Sequence, residues 1–583
     1  MYTRMSRFAF ALRLFVLLSF VSASCNLSSS QNGVSSTPPA NPTSEQTPIT
    51  GSTTNAPEPQ AVHRLAVRQV NGVGEFYDRQ TSETFIPRGA NYVFVPQGSS
   101  HTILLLKVGV YDPGRTRDDF TVLANLGYNT VRVFLDQCNK GSGCIGDDDN
   151  VGLNPAYLDN IADMMSAGRE TGIYILFTSN DLPDQGGYSE EANSGSGGTF
   201  AGYRNSYYLR PQAITATRRY WRDLLTGLVG RNAAFDAVLG WQLLNEQWMF
   251  RDQPPLSLTS GIVETTTGSY DMSVPDQKTQ MVSDGIVYYI AQMKEEILLH
   301  DPTALVTMGF FVPEIAAPGW YVETASLLEK SELDFFDFHA YPGGANLQVH
   351  AEHFGMIGYD ARPILMGEYG AFHHIYSDID SAARALTQWT AESCQYGFDG
   401  WLYWTYYPAD TSVGDSTWGL VDEDNYLLNL FAPAHQPDPC VAIEISNDNL
   451  AYNKPVTVSR NMPENPPSNA VDDNAGTLWN AGDGSVQWIQ VDLQGNYRIT
   501  EIRLLVAQYP AGDTTHRVQV RSSNSDAYQT VYEFQGNTND NDWLVFKPDA
   551  PLENVSQIRI QTIVGPSWVA WKEIQVYGKA ITP

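Results

Sequence analysis

The chain has 583 residues, 42% hydrophobic and 12% aromatic, enough to bury large cores, which excludes disorder throughout. Asp and Glu number 65 against 35 Lys and Arg, and the resulting formal charge of −30 repels phosphate backbones and sets nucleic acid aside as a partner. A neutral polysaccharide suits that field, but so does plain solubility, so charge leaves the substrate open.

In chain order, residues 1–24 come first. Arg4, Arg7 and Arg13 precede the apolar run Leu14 to Val21, which is shorter than the ~20 residues a bilayer crossing needs, and Ser22, Ala23 and Ser24 follow. This is the pattern of an export signal. Cys25 stands where a bacterial lipoprotein carries its acylated cysteine, and the stretch resembles a lipobox with Ser22 in place of the usual Leu. Membrane attachment through a lipidated Cys25 and a secreted or cell-surface location are expected, with ordinary cleavage nearby as the rival reading. Residues 25–60 are mostly Ser, Thr, Pro, Asn and Gln, without an aromatic residue, Lys or Arg beyond Cys25, and read as a flexible linker.

From 61 to 432, short apolar runs alternate with amphipathic segments. Strands are expected at Phe85–Phe94, Tyr128–Leu135, Ile173–Thr178, Ala237–Leu244, Ala304–Phe310, Phe335–Ala340, Arg362–Gly367 and Phe398–Thr405. Eight such strands with helices between them make an α/β domain of the (β/α)₈ TIM barrel type. A doubly wound open sheet is the alternative, but no Gly-rich phosphate loop follows the first strand. Asn154-Pro155 reads as a helix start, with Leu158, Ile161 and Met165 inward, and Pro275 opens another helix. Setting Cys25 aside from the five cysteines leaves four. Cys138 and Cys144 flank a short Gly-rich loop and are expected to pair, which leaves Cys394 to Cys440; a metal site is the rival, without a CxxC pair to support it. Residues 433–446, rich in Pro, read as a second linker. After it, Trp488–Leu493, Ile499–Leu505, Arg517–Arg521, Trp543–Phe546, Ile558–Thr562 and Ile574–Tyr577 read as strands of an all-β sandwich over 447–583.

Barrel enzymes place catalytic groups at the C-terminal ends of strands. Glu246 ends Gly240-Trp-Gln-Leu-Leu-Asn-Glu246 after strand four, and Glu368 ends Pro363-Ile-Leu-Met-Gly-Glu368 after strand seven. A closed barrel brings both tips over one cavity. Two carboxylates there suffice for acetal cleavage: one protonates the leaving oxygen, and in a retaining enzyme the other traps the sugar from ~5–5.5 Å away. Arg132 is placed to act as the cation beside the nucleophile, and Tyr341 to donate to the same carboxylate. Singly, Arg132 could equally pair with a surface acid, His339 could be a packing histidine and Trp401 a core ring.

From about 65 to 430 the chain resembles clan A glycoside hydrolases, most closely glycoside hydrolase family 5. The shared motifs, in the family's order, are Leu126-Gly-Tyr-Asn-Thr-Val-Arg132, Asn245-Glu246, His339-Ala-Tyr341, Glu368-Tyr-Gly370 and Trp401-Leu-Tyr-Trp404. The resemblance implies Glu246 as acid/base and Glu368 as nucleophile. It further implies that Asn245 binds the sugar 2-hydroxyl, that His339 and Tyr341 position groups around the nucleophile, and that Trp404 stacks under the reacting sugar. A β-glucan or β-mannan polysaccharide or oligosaccharide is the implied substrate, with no cofactor for catalysis. A His usual after strand three is replaced by Thr178-Ser-Asn-Asp181. Trp248 and Phe250 are candidate sugar platforms, and His373 and His374 read as exposed loop residues.

The C-terminal unit resembles the discoidin, or coagulation-factor type C, family, including carbohydrate-binding module family 32. The likeness rests on Asn449 to Pro455, Ala470-Val-Asp-Asp-Asn474, Thr477-Leu-Trp479, Gln487 to Leu493 and Glu573 to Gly578. It implies a jelly roll and a structural Ca²⁺ held near Asp472, Asn474, Thr477 and Glu573, with an ordinary polar turn as the alternative. Trp568 reads either as a sugar platform or as a packed ring. A monomer is expected. A surface adhesin with an inactive barrel and a transglycosylase are the competing functional readings.

Overall fold

The computed structural model describes residues 62–581 apart from 95–104, 137, 139, 196–199, 314–318, 409–415, 524 and 526. The export signal, Cys25 and the first linker lie outside the described residues.

Eight parallel strands close into a barrel: β1 (Arg88–Asn91), β2 (Thr130–Phe134), β3 (Tyr174–Thr178), β4 (Val238–Gln242), β5 (Val306–Thr307 and Gly309–Phe311), β6 (Phe336–His339), β7 (Ile364–Tyr369) and β8 (Gly400–Tyr403). Closure runs through β5, which is split at Met308. Its first half pairs with β4 and its second with β6. A Cβ on Gly309 would stand 1.9 Å from the Asn245 carbonyl oxygen, so glycine lets this half of the strand run against the chain that carries Glu246. β1, β2, β4, β6, β7 and β8 are buried along their whole length. That is why they read as apolar runs and not as alternating strands.

Helices shield the barrel. Pro113–Asn125 starts on an Asp112 cap whose side chain accepts from Gly114 N and Arg115 N, and Pro155–Thr171 starts on Asn154, accepting from Ala156 N, and ends on Gly172 at φ 78°. Long helices Pro211–Val229 and Pro275–His300 follow β3 and β4. One element has no counterpart among the expected strands. Leu65–Val70, Val73–Asp78 and Thr84–Phe85 form an antiparallel sheet turned at Asn71-Gly72, both with positive φ. Its Leu65 and Phe76 pack on Leu176, Leu239, Leu305, Phe335, Leu365 and Leu402, closing the bottom of the barrel opposite the end that carries Glu246 and Glu368.

The C-terminal unit is an antiparallel sandwich. Its strands Gln487–Val506, Gly512–Ser522, Gln529–Thr538, Leu552–Val564 and Ala570–Ala580 carry most of the pairing, around a core of its own that includes Trp479, Ile489, Ile502, Val518, Ile560 and Trp571. The segment joining the two units is fastened to the barrel. Cys394 is bonded to Cys440, Arg88 donates to the carbonyls of Gln436 and Phe431, and Ile443 N donates to Thr387 Oγ1 at 2.7 Å. Cys138 is bonded to Cys144.

Candidate active site

Glu246 lies four residues past the end of β4 and Glu368 within β7; each is 4% exposed. One oxygen of each carboxylate and a ring nitrogen of His339 lie within 4.8 Å of one another. The chain places their partners asymmetrically. Arg132, fully buried on β2, donates from Nη1 to Glu368 Oε1 at 2.8 Å, and Tyr341 Oη donates to Glu368 Oε2 at 2.8 Å. His339 Nδ1 donates to Glu246 Oε1 at 2.9 Å and lies 3.4 Å from Glu368 Oε2. Glu368 thus accepts from a guanidinium and a phenol with the imidazole close by, whereas the imidazole is the one side-chain hydrogen-bond partner of Glu246 among the described residues.

The electrostatics follow from that asymmetry. Burial raises the Glu246 carboxyl above its ordinary range; the His339 bond opposes this, and the nearby charge of Glu368 adds to it. Burial by itself would strip the proton from His339, but Glu368 and Asp337 overcome it and lift the ring to about 10. Asp337 is buried too, which disfavours its charge, yet His339 and Arg132 hold it below the usual carboxylate range. Counting Arg132 and His339 as cations and Asp337 and Glu368 as anions, the pocket is neutral when Glu246 keeps its proton.

Behind the carboxylates lies a polar layer. Arg132 Nε donates to Gln242 Oε1 at 2.7 Å, Nη1 to Asn91 Oδ1 at 2.7 Å and Nη2 to Asn245 Oδ1 at 2.5 Å. With its oxygen so engaged, Asn245 keeps its amide hydrogens for a ligand. Gln242 Nε2 donates to Asp337 Oδ2, which lies 3.6 Å from His339 Nε2 and 3.8 Å from Arg132 Nε. A Cβ on Gly367 would sit 2.0 Å from Asp337 Oδ1, so the glycine on β7 makes room for that acid. Asn91, Gln242 and Asp337 were not among the residues expected from sequence. Each is a polar residue buried on a barrel strand, with its side-chain partner on another strand.

Trp404 is buried beside Val93, Phe134 and Tyr341, with its ring edge-on to Phe134 at 6.1 Å and its Nε1 without a hydrogen-bond partner among the described residues. Trp401 is a core ring whose Nε1 donates to Ser393 Oγ. Trp248 is partly covered: Arg204 lies over its ring at 4.5 Å, and Phe250 and Trp320 pack around it. Arg204 is paired with Asp181, the last residue of the Thr178-Ser-Asn-Asp181 segment after β3. His373 packs on Trp418, and His374 is exposed. The trio Glu246, His339 and Glu368 has donors a metal would accept, but the Arg132 guanidinium on Glu368 already supplies positive charge there and opposes another cation.

In the C-terminal unit, Glu573 is 2% exposed and, among the described residues, neither carboxylate oxygen has a side-chain hydrogen-bond partner. Burial, and then the neighbouring acids Asp472 and Asp473, push it well above the usual range. Asp472 accepts from Thr477 Oγ1 at 2.8 Å and is raised to about 7, chiefly by burial. Asp473 is paired with Arg384; among the described residues no Lys, Arg or His pairs with Asp472 or Glu573. This uncompensated acidity, all hard oxygen donors, fits a divalent cation such as Ca²⁺. Asn474 is turned away from it, donating from Nδ2 to Gly343 O of the barrel. Trp568 is 53% exposed.

Residues 455–574 match the F5/8 type C domain family model. No curated protein matches the chain. Among solved structures, the chain is similar to an exo-β-1,4-mannosidase from Opitutaceae bacterium strain TAV5 (18% identity, 64% of this chain and 62% of that one, TM-score 0.43). It is similar also to an endo-1,4-β-mannanase from Rhizomucor miehei (19% identity, 64% of this chain and all of that one, TM-score 0.45). Its C-terminal unit is similar to a chitosan-binding module from Paenibacillus sp. IK-5 seen with chitotriose (28% identity, 22% of this chain and all of that one, TM-score 0.20).

Proposed function

We propose that the chain is a retaining β-glycoside hydrolase acting on β-glucan or β-mannan polysaccharide or oligosaccharide by double displacement. The observation that carries this reading is the pair of buried carboxylates with oxygens within 4.8 Å and opposite surroundings. So short a separation suits direct attack by one carboxylate, whereas an inverting mechanism spaces its two carboxyl groups about 6.5–9.5 Å apart.

In the first step Glu246, kept protonated by burial, gives its proton to the leaving oxygen while Glu368 attacks the anomeric carbon. The C–O bond breaks and a glycosyl ester of Glu368 forms. Arg132 and Tyr341 hold the Glu368 carboxylate in line before attack and stabilise it again as it departs. In the second step the ionised Glu246 takes a proton from water, which attacks the same carbon from the face the leaving group vacated. Asn245 presents its free amide to the sugar, and Trp404 supports the ring. His339 tracks the proton count between the two acids.

Glu246→Gln and Glu368→Gln should each nearly abolish hydrolysis of an aryl β-glycoside. Azide should rescue Glu246→Ala with a β-glycosyl azide product and Glu368→Ala with an α-glycosyl azide. Full activity in either Gln variant sinks the assignment.

The C-terminal unit would bind glycan and hold a structural Ca²⁺ through Asp472, Thr477 and Glu573. Export and anchoring through Cys25 complete the proposal; labelling with radioactive fatty acid should mark the wild type and spare Cys25→Ser.

A further inference from the structure

The two units meet beside the candidate catalytic centre. Tyr341, which holds Glu368 Oε2 at 2.8 Å, opens the turn Tyr341-Pro342-Gly343-Gly344. Gly343 has φ 155°, and a Gly-Gly turn has little conformational preference of its own with which to fix the tyrosine before it. The restraint comes from the other unit. Asn474 Nδ2 donates to Gly343 O at 2.8 Å, and Ala475 N donates at 3.1 Å to Ile375 O, in the loop that follows the Glu368 strand. Gly476 lies so close that a Cβ there would stand 3.3 Å from the Gly343 carbonyl carbon and 3.5 Å from Gly344 N. On the barrel side, the Phe372 ring packs on Tyr341 at 5.1 Å.

The contact is fixed, not incidental. Arg384, on the helix Ile379–Ser393, pairs with Asp473 at 2.8 Å, with side chains 10% and 5% exposed, and also reaches Ser446 O. Burying such a pair carries a desolvation cost that a freely swinging sugar binder has no need to bear.

We propose that Asn474-Ala475-Gly476 of the C-terminal unit is a positioning element of the catalytic centre, clamping the turn after β6 so that the Tyr341 hydroxyl stays on Glu368. The proposal rests on Glu368 as the nucleophile. It makes the sandwich part of the machinery for substrates too small to reach it.

The test uses full-length protein. Asn474→Ala removes the clamp's hydrogen bond, and Gly476→Val drives a wedge against the Gly343 backbone; each is made alone and with Tyr341→Phe. An aryl monosaccharide β-glycoside is the substrate, and hydrogen exchange is followed in the peptide spanning 339–346. Losing part of a hydrogen bond to a charged group should lower kcat about three- to thirtyfold with little change in KM. The same substitutions should cost nothing further in Tyr341→Phe, and exchange in 339–346 should quicken. Gly484→Ala, in open space on the same unit, should match the wild type. Unchanged kcat in both variants overturns the proposal, as does the same fold loss with and without the Tyr341 hydroxyl. Exchange needs no turnover. Slow exchange retained in both variants therefore refutes the clamp itself, whereas quickened exchange beside a fully active Glu368→Gln would locate the error in the nucleophile.

Discussion

Asp337→Asn is the most discriminating change to the pocket, because it removes one negative charge with almost no change of shape. Asp337 Oδ2 lies 3.6 Å from His339 Nε2 and 3.8 Å from Arg132 Nε, and the residue is fully buried. Two unit charges about 4 Å apart interact by about 4 kcal/mol at an effective dielectric of ~20. At 1.36 kcal/mol for each pH unit, that corresponds to about three units. Glu368 stays 3.4 Å from His339 Nδ1 and retains part of the effect, so a shift of one to three units is expected. With Asp337 neutral, the pocket carries one excess positive charge and gives up a proton at lower pH. Whether Glu246 or His339 releases it, the alkaline limb of kcat/KM moves downward. Stability should follow in the same sense. The folded pKa of His339, about 10, lies above its unfolded value, so its contribution is full below about pH 6.5 and is lost as pH rises through 10. The measurement is kcat/KM on an aryl β-glycoside from pH 4 to 10, with thermal melts at each pH. An alkaline limb that stays in place in a folded Asp337→Asn protein would refute the charge count.

Other outcomes can be checked alongside. Arg132→Lys cannot replace a fork that serves Gln242, Asn91, Glu368 and Asn245 at once, so kcat/KM should fall by about 10²-fold or more although the charge is kept. Gly367→Ala puts a methyl 2.0 Å from Asp337 Oδ1 and should cost about 1–3 kcal/mol or more in denaturant unfolding, together with activity. Replacing both Cys394 and Cys440 by Ser opens a loop of sequence separation 46 and should remove about 4 kcal/mol by the chain-entropy relation, seen as a lower unfolding midpoint. Added Ca²⁺ should raise the melting temperature of the wild type with rising concentration and leave Glu573→Gln unmoved; equal response in both excludes Glu573 as a ligand.

The barrel was legible because its strands are buried on both faces and so stand out as apolar runs between helices. Where the reading fell short, the reasons are physical. Ala304–Phe310 reads as one strand, and nothing local reveals the break at Met308, where the pairing passes from β4 to β6. The bottom sheet does not stand out in the sequence although Asn71-Gly72 is a strong hairpin signal, because its half-exposed flanks lack a clean apolar face. In the sandwich, Gln529–Thr538 shows mostly exposed positions and no alternation, and it was missed for that reason. Two of the expected strands are one long element, Gln487–Val506, passing through Gln494 at φ 57°. Glu246 and Glu368 could be named from their places at strand ends. Asp337, Gln242 and Asn91 could not, because their partners lie 95, 110 and 41 residues away and are met only when the barrel closes.

The fastened joint between the units changes what the sandwich offers to a long glycan. Under the proposed function, with Cys394 bonded to Cys440 and Arg384 locked on Asp473, the two glycan-binding faces would be held at a set span and angle, like the jaws of a fixed gauge. A chain whose natural bend matches that gauge meets the second grip at high effective concentration; one that does not match gains nothing from it. On that reading, discrimination between polymer shapes would lie in the joint, and loosening it would broaden the substrates taken while weakening the hold on each.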